Sequence, residues 1–352
     1  MNELVEKSGI SYPIIQAPMA GVTTPELVAA VSEAGGLGSI GAGYLTGEET
    51  KTFIRAVKAR THKPFGINVF VPEEREVSKE EIKKACERLS FCLSDLQLEE
   101  NDLSVSRPID NYDEQIEVIL EERVPVCSFT FGMPEESVIR QLKDKDIIVI
   151  GTATSVQEAK VIEQAGMDAV VVQGSEAGGH RGSFDNESYI GLMSLIPQVA
   201  DYVSIPVIGA GGIMDGRGVM AALCLGAQAA QLGTAFLTTK ESGADVLHKQ
   251  AILQANEEDA VVTRAFSGKS ARGIQNKFIV SLEDDKDVLP YPYQHYLTSD
   301  MRSEAKKQGN KEYMSLWSGQ SPRLSRDLTA EQLIRQLVKE AQLTKENTLN
   351  IY

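Results

Sequence analysis

The sequence predicts a TIM barrel, a closed ring of eight parallel strands each followed by a helix. Three observations carry that expectation. Short apolar runs alternate with segments of helical period from Ile14 to Phe236, the alternation that builds parallel sheets. Eight such units can be counted without the break in order that a doubly wound sheet, the alternative architecture, would introduce. The stretch AVVVQGSEAGGHRG, Ala169 to Gly182, opens as an apolar β-branched run suited to a strand buried on both faces and ends small, flexible and polar. It places His180 and Arg181 just past a strand's C-terminal end, where α/β proteins do their chemistry.

The elements follow in order. Ile14 to Ala17 is the first strand, and Thr24 caps a helix whose first residue is Pro25 and which stops at Gly35. Leu37 to Ile40 is the second strand, followed by a helix from Thr46 or Gly47 to about Lys58. Phe65 to Phe70 is the third strand and carries Asn68 near its end. The charged stretch Pro72 to Arg107, with helical spacing at Ile82, Ala85 and Leu89, is an elaborated third connection. A helix over Asp113 to Glu122 leads to strand four, Val126 to Phe131, and a further helix to strand five, Ile147 to Thr152. Ser155 with Glu158 forms a capping box, and Gly166 ends that helix before strand six. Leu192 to Val199 is helical, Pro206 to Ala210 is strand seven, and Asp215 starts a helix to Leu225. Strand eight is Ala229 to Phe236.

After Thr239 the alternation stops, and Lys240 to about Pro322 is longer than a last barrel helix requires. This segment, 240–322, is expected to be a small, mostly helical cap over the barrel mouth, with residues 1–239 and 323–352 forming the barrel. Tyr291, Tyr293 and Tyr296 are expected in the cap's core. Thr329 and Gln332 make a capping box for a final helix to about Ala341.

Composition narrows the function. The chain has 352 residues, 42% hydrophobic, with 50 acidic against 35 basic residues and a formal charge of −15, which argues against nucleic acid or an anionic membrane surface as a partner. Four scattered cysteines without a C-x-x-C pair suit a reducing cytoplasm. Neither a signal core nor a bilayer-length apolar run is present, so a soluble cytoplasmic protein is expected.

The chemistry is assembled from strand ends. The loops GAGGIMDG and QLGTAF follow strand seven and fall within strand eight, positions at which barrels often hold a phosphate on exposed backbone N–H groups; alternatively the glycines only permit tight turns. Their spacing is not that of a dinucleotide fingerprint. Asn68 and Gln173 each offer a donor and an acceptor at the same mouth. They suit a heterocycle with N–H and C=O edges, such as an isoalloxazine, or ordinary hydrogen bonds to loop backbone. His180 is a candidate base or a surface histidine. Arg181 could attract an anion, or serve as a solvated charge or structural ion pair. No metal-ligand spacing and no G-x-S-x-G elbow occur.

The segments PIIQAPMAG, AGGLGSIGAG, FGINVF, GTATS, QGSEAGGHRG, SIPVIGAGGIMDGRG and QLGTAFL, in order from Pro13 to Leu237, together with WSGQSPR near the C-terminus, resemble the nitronate monooxygenase family, class I type, formerly called 2-nitropropane dioxygenases. The resemblance implies an FMN-bearing TIM barrel without a metal. It implies oxidation of alkyl nitronates by O2 to a carbonyl product and nitrite, with propionate 3-nitronate as the toxic substrate removed. Carried onto this chain, the FMN contacts would be Asn68, Gln173, Gly178, Gly179, Gly212, Gln231, Leu232, Gly233 and Thr234, with Pro18 and Met19 beside the ring. His180 would be the active-site histidine, taking a proton from a neutral nitroalkane or orienting a nitronate that arrives ionised. The FMN-dependent enoyl-acyl carrier protein reductases, which use a nicotinamide, resemble the chain through the same barrel and EAGGH segment. Arg181 after the histidine and the PIIQAPMAG form of the first strand favour the monooxygenase. A barrel that binds FMN or phosphate without turnover would leave His180 without a purpose. An inosine monophosphate dehydrogenase is disfavoured because no cysteine follows strand six. Oligomeric state stays open.

Overall fold

The computed structural model describes residues 2–73, 75–99, 103, 111–184, 187–282 and 288–349. The strands are β1 (Ile14–Gln16), β2 (Gly38–Gly41), β3 (Phe65–Phe70), β4 (Val126–Thr130), β5 (Ile148–Ala153), β6 (Ala169–Gln173), β7 (Gly179–His180), β8 (Val207–Ala210), β9 (Ala229–Leu232), β10 (Ala260–Thr263) and β11 (Ala271–Ile274). Eight of them pair side by side in the order β1-β9-β8-β6-β5-β4-β3-β2, and a parallel bridge between Ile15 and Leu37 joins the two ends. The ring is the TIM barrel expected from the alternation, not a doubly wound sheet.

Two apolar layers hold the ring. Inward-facing Ile15, Val126, Ile148, Val171, Ile208 and Ala229 fill the lumen. A helix at the start of the chain, Glu3–Ser8, which the sequence reading did not include, adds Leu4 to that cluster. Outward-facing Ile40, Ile67, Val149, Val170 and Leu232 pack under the helices with Val28, Ile54 and Ile196. Burial on both faces explains why the strands read as continuous apolar runs.

The caps stand largely where the side chains predicted them. Thr24 accepts from the Leu27 N–H, and Thr46 and Glu49 bond reciprocally at the start of helix Gly47–Lys58. Ser155 caps helix Val156–Gln164, but Glu158 does not close a box with it. Its carboxylate turns away to accept from the Thr154 N–H and hydroxyl and from the Phe184 N–H, tying the helix to the loop after β6. Strand eight ends at Leu232, because Gly233 leaves the extended region (φ −104°, ψ −72°) and Thr234–Leu237 is a helical turn. The last helix has its Thr329–Gln332 box and runs to Leu349 rather than to about Ala341. It packs across helices Gly216–Cys224 and Pro25–Glu33 and so serves as the barrel's eighth helix. Gly216 permits this approach, since a Cβ there would lie 2.2 Å from the Ala341 nitrogen.

Residues after strand eight form a second apolar cluster around Phe266, Phe278, Leu297, Met301 and Tyr313. Helices Lys79–Arg88 and Ser90–Leu96 of the third connection contribute Ala85, Leu89, Cys92 and Leu96 to it. The segment also contains a β element: β10 and β11 pair antiparallel, and β11 takes β7 from the barrel loop as a third strand, with Ala271 opposite His180. No described helix is long and apolar enough to cross a membrane.

Candidate active site

The barrel's C-terminal mouth and the overlying segment enclose a cavity of about 550 Å³, within the range of small-molecule and cofactor sites. Pro18, Met19, Asn68, Gln173, Gly178, Gly179, His180, Gly212, Gln231, Gly233 and Thr234 all line it. Leu232 does not. The alternation of strand β9 turns its side chain outward into the layer under the helices, where it is 1% exposed.

His180 is held from two sides. Its backbone is fixed by pairing with β11, and its ring Nε2 lies 2.8 Å from the Ser267 hydroxyl. Phe131, Tyr291 and Trp317 surround the ring at centroid distances of 5.8, 6.0 and 5.4 Å. Burial, followed by the charges of Lys269 and Arg302, pushes its pKa down to about 3. The imidazole is therefore neutral at physiological pH. A neutral ring with so low a proton affinity is a weak base but a competent hydrogen-bonding group.

The two amides do different work. Gln173 spends both ends on the loop that follows it: Nε2 donates to the His180 carbonyl at 3.0 Å, and Oε1 accepts from the Gly182 N–H at 2.8 Å. Asn68 places Nδ2 against the Ser128 and Thr130 oxygens of the neighbouring strand. Its Oδ1 accepts from no described residue.

Arg181 is neither solvated nor an anion receptor at the mouth. It is buried and donates to the carbonyls of Gln173, Gly174 and Ser188. The alternation from His180 explains this: successive residues face opposite sides, so the histidine faces the cavity and the arginine the body of the loop.

The glycines bring backbones together at the cavity's far end. Gly211 and Gly212 have φ of +130° and +67°, so a side chain at either would be strained. A Cβ on Gly178 would lie 2.4 Å from the Gly319 nitrogen, and that N–H donates to the Thr234 hydroxyl at 2.9 Å. No described residue accepts from the N–H groups of Gly212, Gly233 or Thr234.

Several wall residues were not among the sequence candidates. Trp317, Gly319 and Ser321 line the cavity from the WSGQSPR segment, which entered only as part of the resemblance. Ser267, Tyr44, His295 and Arg302 had no sequence signal, since only folding brings residues so distant in the chain together. Tyr291 is buried in the apolar shell against Phe131 and His180, whereas the Tyr293 hydroxyl donates to the Arg75 carbonyl. Lys269 pairs with Glu73 and lies over the Phe131 ring. No group of three potential metal ligands occurs among the described residues.

A family model described as nitronate monooxygenase matches residues 1–340. The chain belongs to the nitronate monooxygenase family. It is 50% identical over 345 residues to a probable nitronate monooxygenase of Staphylococcus haemolyticus, covering 96% of each chain. A protein of the same description from Staphylococcus aureus is 48% identical over 344 residues, covering 96% of this chain and 97% of that one. Among solved structures, a nitroalkane oxidase from Streptomyces ansochromogenes superposes with a TM-score of 0.92 at 40% identity, covering 98% of this chain and 99% of its own. FabK from Thermotoga maritima superposes with a TM-score of 0.80 at 32% identity, covering 99% and 98%. As a member of this family the protein is a flavin-dependent oxidoreductase that oxidises nitronates.

Proposed function

We propose that the protein is an FMN-dependent nitronate monooxygenase, oxidising nitronates with O2 to a carbonyl compound and nitrite and removing propionate 3-nitronate as a toxic metabolite. The observation that carries the reading is an anchored His180 in the wall of a cavity that also offers free backbone N–H groups at Gly212, Gly233 and Thr234.

The residues present fit FMN. The unpartnered N–H groups of Gly212, Gly233 and Thr234, on adjacent strand ends, suit its phosphate. Asn68, whose oxygen accepts from no described residue, and Gln231 line the same cavity and suit the polar edges of the ring, with Pro18, Met19, Gly178, Gly179 and Gln173 also in its wall. The chemistry a flavin bound there would supply is redox: it would take electrons from a nitronate carbon and hand them to oxygen.

The chain's own residues bind and orient. His180 stays uncharged, so its part is to hydrogen-bond an already ionised nitronate and hold the donor carbon in place. It is poorly suited to removing a proton from a neutral nitroalkane. Phe131, Tyr291 and Trp317 keep bulk water from the ring, strengthening the polar contacts a nitronate makes there. Gln173 holds the His180 backbone and Ser267 holds its ring.

The first test mixes purified flavoprotein anaerobically with propionate 3-nitronate and, separately, with NADH or NADPH, while the flavin absorbance is followed. A prompt change with nitronate, and nitrite on admitting air, is expected. Bleaching by the nicotinamide with no response to nitronate would refute the reading and favour an enoyl-acyl carrier protein reductase.

A further inference from the structure

Three charged side chains line the cavity among the described residues: Asp245, Arg302 and Lys306. Asp245 and Lys306 answer each other, 3.9 Å apart. Arg302 has no such partner. Asp300, two residues earlier on the same helix, acts on it only from a distance.

Arg302 sits on helix Ser299–Lys307, which presents Ser299, Arg302, Ser303 and Lys306 to the cavity as one ridge. Part of its guanidinium has a structural task. Nη2 donates to the His295 carbonyl at 2.8 Å, and Nε to the Thr298 carbonyl and hydroxyl, both at 3.2 Å. These bonds close the end of helix Tyr293–Leu297 and fix the fork's orientation. The dipole of so short a helix offsets only part of a full charge, and Nη1 donates to no described residue. A largely buried cation without a counter-charge is costly to keep, and such a cost is recovered when a ligand brings an anion to it.

The arrangement also separates two tasks. His180 lies among Phe131, Tyr291 and Trp317. Arg302 lies beside His295, whose ring is stacked on Tyr44 at 4.2 Å. Both residues line one cavity, and the charge of Arg302 is felt at His180, so a substrate held at His180 shares its cavity with that cation.

Building on the nitronate reading, we propose that Arg302 is the residue that selects substrates by their tail, taking through Nη1 a carboxylate carried on the chain beyond the reacting carbon. Arg181, the arginine suggested by its place next to the histidine, has no part in this, since carbonyls occupy its donors. Lys306, one turn nearer the end of the helix, guides the anion inward but remains paired with Asp245.

The test compares propionate 3-nitronate with propyl-1-nitronate, which carries a methyl in place of the carboxylate, in native enzyme and in Arg302→Gln and Arg302→Lys. For Arg302→Gln, KM for the carboxylated substrate should rise roughly 10- to 100-fold with kcat little changed, the size and form expected when a charged hydrogen bond of uniform binding is lost. For propyl-1-nitronate, kcat/KM should fall at least about 10-fold less than for the carboxylated substrate. Arg302→Lys should restore part of the loss, because it keeps the charge and loses the fork. An equal fall for both substrates would overturn the proposal, because Arg302 would then be holding the fold or the nitronate group itself. Melting temperatures and flavin content of both variants identify the first of those causes. Native enzyme that oxidises neither nitronate would count against the proposed function instead.

Discussion

Gly178→Ala tests whether the loop after β6 and the C-terminal segment close on each other to form the cofactor end of the cavity. The added Cβ would lie 2.4 Å from the Gly319 nitrogen and 2.5 Å from the Ser318 carbonyl carbon. Ordinary contact begins about 1 Å further out, and both obstacles are backbone, so one segment must move by about that much. Such overpacking costs about 1–3 kcal/mol. The movement also pulls the Gly319 N–H off the Thr234 hydroxyl, now 2.9 Å away, for about 1 kcal/mol more. The total is about 2–4 kcal/mol. Apoprotein can relieve the clash by letting residues 318–319 swing outward, whereas the proposed flavin site would need them in place. The loss should therefore appear mainly as a flavin Kd raised roughly 30- to 1,000-fold, with a modest fall in apoprotein melting temperature, about 2 °C per kcal/mol retained. The assay is titration of apoprotein with FMN followed by flavin fluorescence, beside a thermal melt. A variant binding FMN within about 3-fold of native affinity and melting within about 1 °C would refute the reasoning.

Other expectations follow from the same geometry. Gln173→Leu leaves the His180 carbonyl and Gly182 N–H without partners; it should cost about 2–4 kcal/mol of stability and lower kcat roughly 10- to 100-fold by loosening the histidine loop, as read by melting and by steady-state kinetics with nitronate. Arg181→Met removes a buried guanidinium bonded to three carbonyls and should cost about 3–5 kcal/mol, while surviving enzyme keeps its preference between carboxylated and alkyl nitronates. The pH dependence follows from the depressed pKa of His180. The unfolded chain binds a proton below its ordinary value of 6.5 that the folded protein refuses until about 3, so this group makes stability fall as pH drops through that window, by up to about 1.4 kcal/mol per unit. Denaturant titrations of native protein and His180→Asn between about pH 7 and pH 5 should therefore diverge, the variant falling less steeply; parallel curves would mean that His180 is not held neutral.

Local chemistry made much of the barrel legible. Runs such as Ala169 to Val172 are apolar without interruption because both faces of the sheet are covered, and caps such as Thr46 with Glu49 act over a few residues, so their signal lies in adjacent positions. The exceptions have local physical reasons. Glu158 had a stronger demand from Thr154 and Phe184 than from its own cap, and Gly233 ended a strand that looked apolar as far as Phe236.

The sequence by itself also marked part of the cavity wall, because backbone approach needs glycine and polar strand ends stand out against apolar runs. Gly178, Gly212, Asn68 and His180 were visible for that reason. What those groups face was decided by tertiary structure. Ser267, 87 residues away, anchors the His180 ring, and burial with the charges of Lys269 and Arg302 pushes its pKa down. Arg181 and Arg302 are the same residue type, and nothing in their neighbouring sequence tells the strut from the unpaired charge at the cavity. Strand alternation turned the first into the loop, and a helix packed over the barrel mouth turned the second toward the cavity. A hydrogen bond or a counter-charge depends on distance in space, and sequence reports such distances only over a few residues.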